Sequence, residues 1–193
     1  MRSLFYILLF IFACNTAESP AENNVNKSYK IFVENNYADE VSFFNRIIEK
    51  KASWSSPPNI IICDGIKISK ARIKKAISFW EHLGYSFGEI FEFSCPFDTQ
   101  YHGAIYIMEP SSGFNFVLLA NTHTAYTEFP DKRREIIGSW IEIPNNNIIK
   151  QRVLEHEIGH SIGFQHTSEA NHIMNKEFAK GGFGTSGLKS NLH

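Results

Sequence analysis

Residues 156–166 read HEIGHSIGFQH, and no other stretch restricts the fold of this chain so tightly. Just upstream, Pro144 closes an alternating apolar run, Asn145 to Asn147 supply capping side chains, and residues 148–162 carry a helical pattern. At about 100° per residue, Leu154, Ile158 and Ile162 line up in one stripe while His156 and His160 leave from the opposite side. The helix is expected to have a core face and a chemical face.

Two imidazoles one turn apart rise about 6 Å along the axis and can converge on one ion at nitrogen–metal distances near 2 Å. Glu157, beside them, can reach a water at that ion without ligating the ion itself, which is the placement a general base needs. Gly163 lets the chain leave the helix through a turn that a Cβ opposes, so that His166 can swing back as a third ligand. Three nitrogens leave one coordination position open, and an open position separates a catalytic zinc site from a closed structural one. The five fixed letters arise by chance in on the order of one chain in ten thousand, which leaves little weight for the reading that these side chains simply face water.

The rest of the chain frames that helix. With 193 residues, 43% of them hydrophobic, it can bury one core of ordinary size but not two. Lysine and arginine total 19 against 20 aspartates and glutamates, and no basic block stands out, so nucleic acid is excluded as the expected partner. Residues 1–14 read as a signal peptide: Arg2 precedes an apolar run, Leu4 to Ala13, too short to span a bilayer. The run ends in Ile11-Phe12-Ala13-Cys14, similar to a bacterial lipobox with Cys14 as the lipidated residue; ordinary cleavage between Ala13 and Glu18 is the other reading. Either way the expected location is extracytoplasmic, secreted or lipid-anchored in the cell envelope. Cys63 and Cys95 are then a disulfide or two buried thiols.

Residues 15–58 read as a polar tether and pro-segment or spacer, with a short amphipathic helix at 37–51. Regular structure is expected from Asn59. A strand at 59–67 leads to a helix capped by Ser69, with Ile73, Ala76, Ile77 and Trp80 on its core face, Gly84 at its end and Lys70, Arg72, Lys74 and Lys75 on its solvated face. Strands follow at 87–94, 102–108, 114–124 and 137–143.

HEIGHSIGFQH fits the pattern H-E-x-x-H-x-x-G-x-x-H, and Met174 in NHIMN follows His166 by eight residues. In both features the chain resembles the metzincin zinc endopeptidases, the matrixin branch above all, and the order of elements over residues 59–193 is similar as well. The resemblance implies an α+β, zincin-like catalytic domain: a twisted mixed sheet of about five strands, a backing helix and an active-site helix. It implies one catalytic Zn2+ on His156, His160 and His166, with Glu157 as base, Gly163 as the motif turn and Met174 as the Met-turn beneath the metal. It further implies a protein or peptide substrate bound by a monomer. By order, residues 117–124 form the edge strand, with Leu119, Ala120, Asn121 and Thr122 pairing with an extended peptide.

The chain also departs from that pattern. No tyrosine follows Met174, the loop near MEPSSGF lacks ligands for a further structural zinc or calcium, the glycine-rich tail KGGFGTSGLKSNLH is too short for a closing helix, and residues 15–58 offer no cysteine for a thiol switch. His82, His102, His123, His172 and His193 are expected at the surface or in hydrogen bonds. Two further readings stay open: a non-catalytic zinc-binding envelope protein, and a zinc enzyme whose third ligand is a downstream glutamate, for which no convincing helix follows.

Overall fold

The computed structural model describes residues 30–35, 50–95 and 103–188. The elements run β1 (Lys30–Asn35), β2 (Asn59–Cys63), α1 (Lys70–Glu81), β3 (Ile90–Phe93), β4 (Ala104–Met108), β5 (Asn121–Glu128), β6 (Arg134–Glu142) and α2 (Val153–Ser161). The leader, Cys14, residues 37–49 of the helix expected at 37–51, His102 and His193 lie outside the described residues, and the last two residues of that helix, Lys50 and Lys51, are not helical. Among the described residues no helix is long and apolar enough to cross a membrane.

The strand signals resolve into one mixed sheet in the order β1-β5-β6-β4-β2-β3. β2 pairs parallel with β3 and β4, and β4 pairs parallel with β6, whereas β5 is antiparallel to β6 and to β1. The α+β expectation holds: five strands come from residues 59–142, and β1 adds a sixth at the edge. β4 shows why the parallel strands sit centrally. All five of its residues are buried, with Ile105 and Ile107 facing the helices and Ala104, Tyr106 and Met108 facing the other side, as a strand covered on both faces requires. On that far side the Cys63–Cys95 disulfide joins the end of β2 to the chain after β3, which settles the alternative left open by the sequence.

α1 forms as its pattern dictates. Ser69 Oγ accepts from the backbone N–H of Arg72, and Ile73, Ala76, Ile77 and Trp80 are buried against the sheet and α2. Arg72 corrects the solvated-face reading, because its guanidinium grips the buried Glu155 carboxylate of α2 with two parallel bonds of 2.9 and 2.8 Å. Trp80 Nε1 donates to the Glu155 carbonyl, so the two helices are tied through one residue.

Other boundaries move as well. α2 starts at Val153 rather than Ile148, with Arg152 at its N-cap in the left-handed region, φ 72°. The upstream asparagines do not cap it: Asn145 Oδ1 accepts from Lys67 N–H, and Asn147 Nδ2 donates to the Leu119 carbonyl, so both serve distant loops. The strand expected at 114–124 begins only at Asn121, because Asn115 folds the preceding residues into a turn, its side chain accepting from Val117 N–H and its carbonyl from Leu118 N–H. The expected edge strand therefore splits into a turn at 117–120 and β5 proper.

The packed unit also reaches upstream of Asn59. Lys50 bridges to Phe164, Lys51 N–H donates to the Gly163 carbonyl, Ser53 exchanges backbone bonds with Arg134 and Ile136, and Trp54 Nε1 donates to the Ser161 carbonyl. Residues 50–54 thus run beneath the end of α2. The glycine-rich tail, in place of a closing helix, folds back on the loop before it: Ile173 N–H donates to Gly184, Tyr85 hydroxyl donates to the Leu188 carbonyl, and Leu188 is fully buried.

Removing one partner of the buried Arg72–Glu155 pair leaves a charge without its counter-ion. Arg72→Ala should lower stability by about 3 kcal/mol in urea unfolding, whereas Arg72→Met with Glu155→Leu should recover most of it. Equal losses in the single and double variants would refute this role.

Candidate metal centre

The α2 histidines and His166 meet as their spacing suggests. The three Nε2 atoms form a nearly equilateral triangle, 3.1 Å between His156 and His160, 3.0 Å between His160 and His166, and 3.2 Å between His156 and His166. These are the three residues that could hold a metal ion among the described residues.

The ring orientations follow from what holds the opposite nitrogens. His156 Nδ1–H donates to the Ile173 carbonyl at 2.7 Å, and His160 Nδ1–H donates to the Phe164 carbonyl at 2.8 Å. With Nδ1 protonated, each neutral ring aims the Nε2 lone pair at the centre of the triangle. Acceptors facing one another at this distance repel unless a cation sits among them. Tetrahedral ligands at zinc–imidazole distances of about 2.0–2.1 Å stand about 3.3 Å apart, so the observed spacing fits such an ion, and an all-imidazole set suits zinc, copper, iron or nickel.

Burial keeps the rings neutral. It is the largest cause holding His156 down at about 4 and His166 at about 3, and it drives His160 well below its usual value, with the neighbouring imidazoles adding to the effect. Glu157, buried one residue from His156, is pushed the other way, up to about 7, by the same desolvation, against the opposing hydrogen bond from Thr122.

Two glycines set the clearances. At Gly163, φ is +101°, and a Cβ would come within 2.1 Å of the Ala52 carbonyl oxygen, so the turn to His166 needs a glycine both for its conformation and for the segment running under it. A Cβ at Gly159 would lie 2.4 Å from Met174 Sδ and 2.7 Å from the Trp80 ring. That contact is how the fully buried Met174 packs directly against α2, one residue after the carbonyl that orients His156. His172 fastens the same loop. Its Nε2–H donates to the Ser186 carbonyl, and its Nδ1 accepts from Met174 N–H, so this buried ring is neutral and joins the loop to the tail.

The triangle floors a cleft of about 540 Å³. Residues 117–122 make one wall and residues 175–178 the other, so Leu119, Ala120, Asn121 and Thr122 all line it, the first two from the turn and the others from β5. Thr122 does more than line the cleft. Its hydroxyl donates to Glu157 Oε2 at 2.6 Å, fixing the carboxylate relative to the histidines. Further along the same face, Thr124, Ser139 and Ser161 continue a seam of buried hydroxyls between the sheet and α2, and Ser161 donates to the Glu157 carbonyl. Sequence reading missed Gly159 and the second role of Thr122, whereas His172, expected at the surface or in a hydrogen bond, is hydrogen-bonded. The only available signal was alternation, which put Ser139 on the inward face of β6 but named no partner. Of the other histidines, His82 is exposed at the end of α1, and His123 lies within hydrogen-bond distance of Glu142 and Asn121 on the far side of the sheet.

A scan against protein-family models finds no match, and searches of curated proteins and of solved structures return no significant match either. The chain's own residues carry the functional argument.

The chelator-treated chain should take up one first-row divalent ion per molecule by calorimetry, with His166→Ala weakening binding by more than the roughly 10–100-fold that outer partners contribute; stoichiometric uptake unchanged in that variant would remove His166 from the site. The pH response of the metal-free chain follows from the same burial. Unfolded histidines titrate near 6.5 and these three titrate lower when folded, so their stabilisation is complete above about pH 6.5 and is lost as pH falls. Glu157, raised, works in the opposite direction, stabilising below about 4.5 and losing that as pH rises through 7. Three imidazoles against one carboxyl give a urea midpoint that falls from pH 7 to pH 5; a midpoint that rises would contradict it.

Proposed function

We propose that this chain is a zinc endopeptidase with a metzincin-like, matrixin-like fold, hydrolysing extended peptide or protein substrates in the cleft over the three histidines. The observation that carries the reading is the Thr122–Glu157 hydrogen bond: a buried carboxylate that does not belong to the ligand triangle is nevertheless held beside it, which a site meant only to store metal does not require. The motif, the parallel sheet with one antiparallel strand beside the site, and Met174 packed against Gly159 support the same reading.

His156, His160 and His166 would hold the ion, and zinc there supplies Lewis acidity, polarising a carbonyl and making a water more acidic. Glu157 takes the proton from the attacking water and delivers it to the leaving amine, so one carboxyl serves as base and then as acid. Thr122 keeps that carboxylate in one rotamer, so less ordering remains at the moment of reaction. Backbone groups of residues 119–122 pair with the extended substrate, and the walls exclude bulk water. The apolar leader ending at Cys14 supports export, released or lipid-anchored, and the chain is proposed to work as a monomer. The alternative, a non-catalytic zinc-binding envelope protein, would retain the ion and leave peptides uncut.

Zinc-loaded protein should cleave unstructured peptides, and Glu157→Ala should lower kcat by about 10²–10⁴-fold while keeping its zinc. Thr122→Val should lower kcat with little change in KM, and Thr122→Ser should restore most of it. Cleavage that survives Glu157→Ala would remove the assigned base, and a full complement of zinc with no cleavage of a broad peptide library would favour the binding protein.

A further inference from the structure

Arg152 breaks three local preferences at once. It stands at the N-cap of α2 with φ 72°, a left-handed conformation that costs any residue with a Cβ, and it gives no side-chain acceptor to the first turn. A cation at this end of a helix also opposes the helix dipole. Departures of this kind persist where the surroundings hold a residue for another purpose, and here they coincide with the cleft. Arg152 lines it, four positions before His156 and so about one helical turn, ~6 Å, from the nearest histidine of the triangle. The side chain is half-buried and held in one place: Nη2–H donates to the Phe178 carbonyl at 2.8 Å, and the guanidinium lies 4.5 Å from the centre of the Phe178 ring.

The charges around the cleft do not balance. Two of the lining residues are acidic, and both are engaged: Glu157 accepts from Thr122, and Glu177 accepts from Lys180 at 2.8 Å. Lys176, exposed on the same wall as Phe178, adds a second cation. It stands close to the triangle, since its charge lowers the pKa of His166 beyond what burial and His156 do. Among the described residues neither Arg152 nor Lys176 has a carboxylate at ion-pair distance. Most of the remaining lining is aliphatic, with Val117, Leu118, Leu119, Val153 and Ile173. From this we infer that Arg152, with Lys176 beside it, makes the cleft select substrates carrying a glutamate next to the scissile bond. Arg152 thereby sets the substrate class of the proposed endopeptidase, on which reading this role rests. The methylenes of the glutamate lie along the aliphatic lining, and its carboxylate meets the guanidinium, whose planar fork matches two oxygens. Glutamine has the same shape but no charge. Because Phe178 has already ordered the guanidinium, pairing avoids part of the side-chain entropy that makes exposed ion pairs weak.

The test uses the intact chain, zinc-loaded, and pairs of quenched peptides that differ only in glutamate or glutamine at one of the two residues flanking the scissile bond. At one of those positions kcat/KM for the glutamate peptide should exceed that for the glutamine peptide by about tenfold, the worth of one charge-assisted contact. Arg152→Gln, which keeps a donor for the Phe178 carbonyl, should shrink the ratio to about twofold or less, and the exposed change Lys176→Glu should lower it as well. A merely structural role would depress both peptides alike and leave the ratio where it was. Binding gives a second readout: zinc-loaded Glu157→Ala should hold the uncut glutamate peptide about tenfold more tightly by fluorescence anisotropy. A native ratio at or below one at both positions overturns the role of Arg152 without any variant, and so does a ratio of native size in Arg152→Gln. If no peptide is cut but the glutamate peptide is still bound preferentially, the endopeptidase reading fails and the cationic subsite stands. Cleavage without preference has the opposite meaning: the endopeptidase stands and the subsite falls.

Discussion

Three uncharged imidazoles, each with its Nε2 turned towards the same point, are held with those nitrogens about 3 Å apart, and most of the surrounding structure serves to keep them there. Bare lone pairs at this distance repel, so the rings need to be clamped from behind. Carbonyls of Ile173 and Phe164 do this at the Nδ1 atoms of His156 and His160. Each carbonyl must itself be placed. Phe164 follows the left-handed turn at Gly163, which is steered by the backbone at Ala52. Ile173 belongs to a loop gripped by His172, the Gly184 carbonyl and the contact of Met174 with Gly159.

The same logic extends to the carboxylate. A glutamate beside two histidines on a helix has many rotamers, and only a partner from elsewhere selects one. Thr122 provides that partner because β5 crosses α2 with its inward residues, Thr122 and Thr124, carrying hydroxyls where a wholly apolar side chain would offer none. The seam costs apolar contact but satisfies buried polar groups in pairs, so α2 is positioned by directional bonds rather than by packing alone. On its other side α2 is anchored to α1 through Glu155, which receives both Arg72 and the Trp80 indole. Residue 155 thus fixes the helix on its structural side, and residue 157 faces the cleft.

Strand addition gives the sheet edge a second meaning. An open edge beside an apolar cleft invites pairing with any extended chain, the chain's own upstream segment included. β1 pairs with β5 from Glu128 to His123, and the cleft is walled by residues 117–122 beside that ladder.

How much of this was legible follows from the range of the interactions. Helix geometry places residues i and i+4 on one face whatever surrounds them, and a glycine after the last turn marks where the chain reverses, so His156, Glu157, His160, Gly163 and His166 could be read directly from spacing. The buried stripes of α1 and α2, the apolar run of β2 and the alternation in β6 were equally visible, since burial follows the local period. Boundaries were less so. Asn145 and Asn147 look like helix caps but spend their side chains on Lys67 and Leu119, and Asn115 delays the start of a strand by forming its own turn. Arg72 on Glu155, Thr122 on Glu157, Met174 under Gly159 and β1 on β5 join residues 15 to 98 positions apart in the chain. Nothing in local spacing encodes which partner such a side chain or strand edge meets. The sequence by itself determined which residues can ligate; the tertiary structure decided how the rings and the carboxylate are oriented and how much of the cleft stays open, because orientation in a buried site is set by neighbours that only folding brings near.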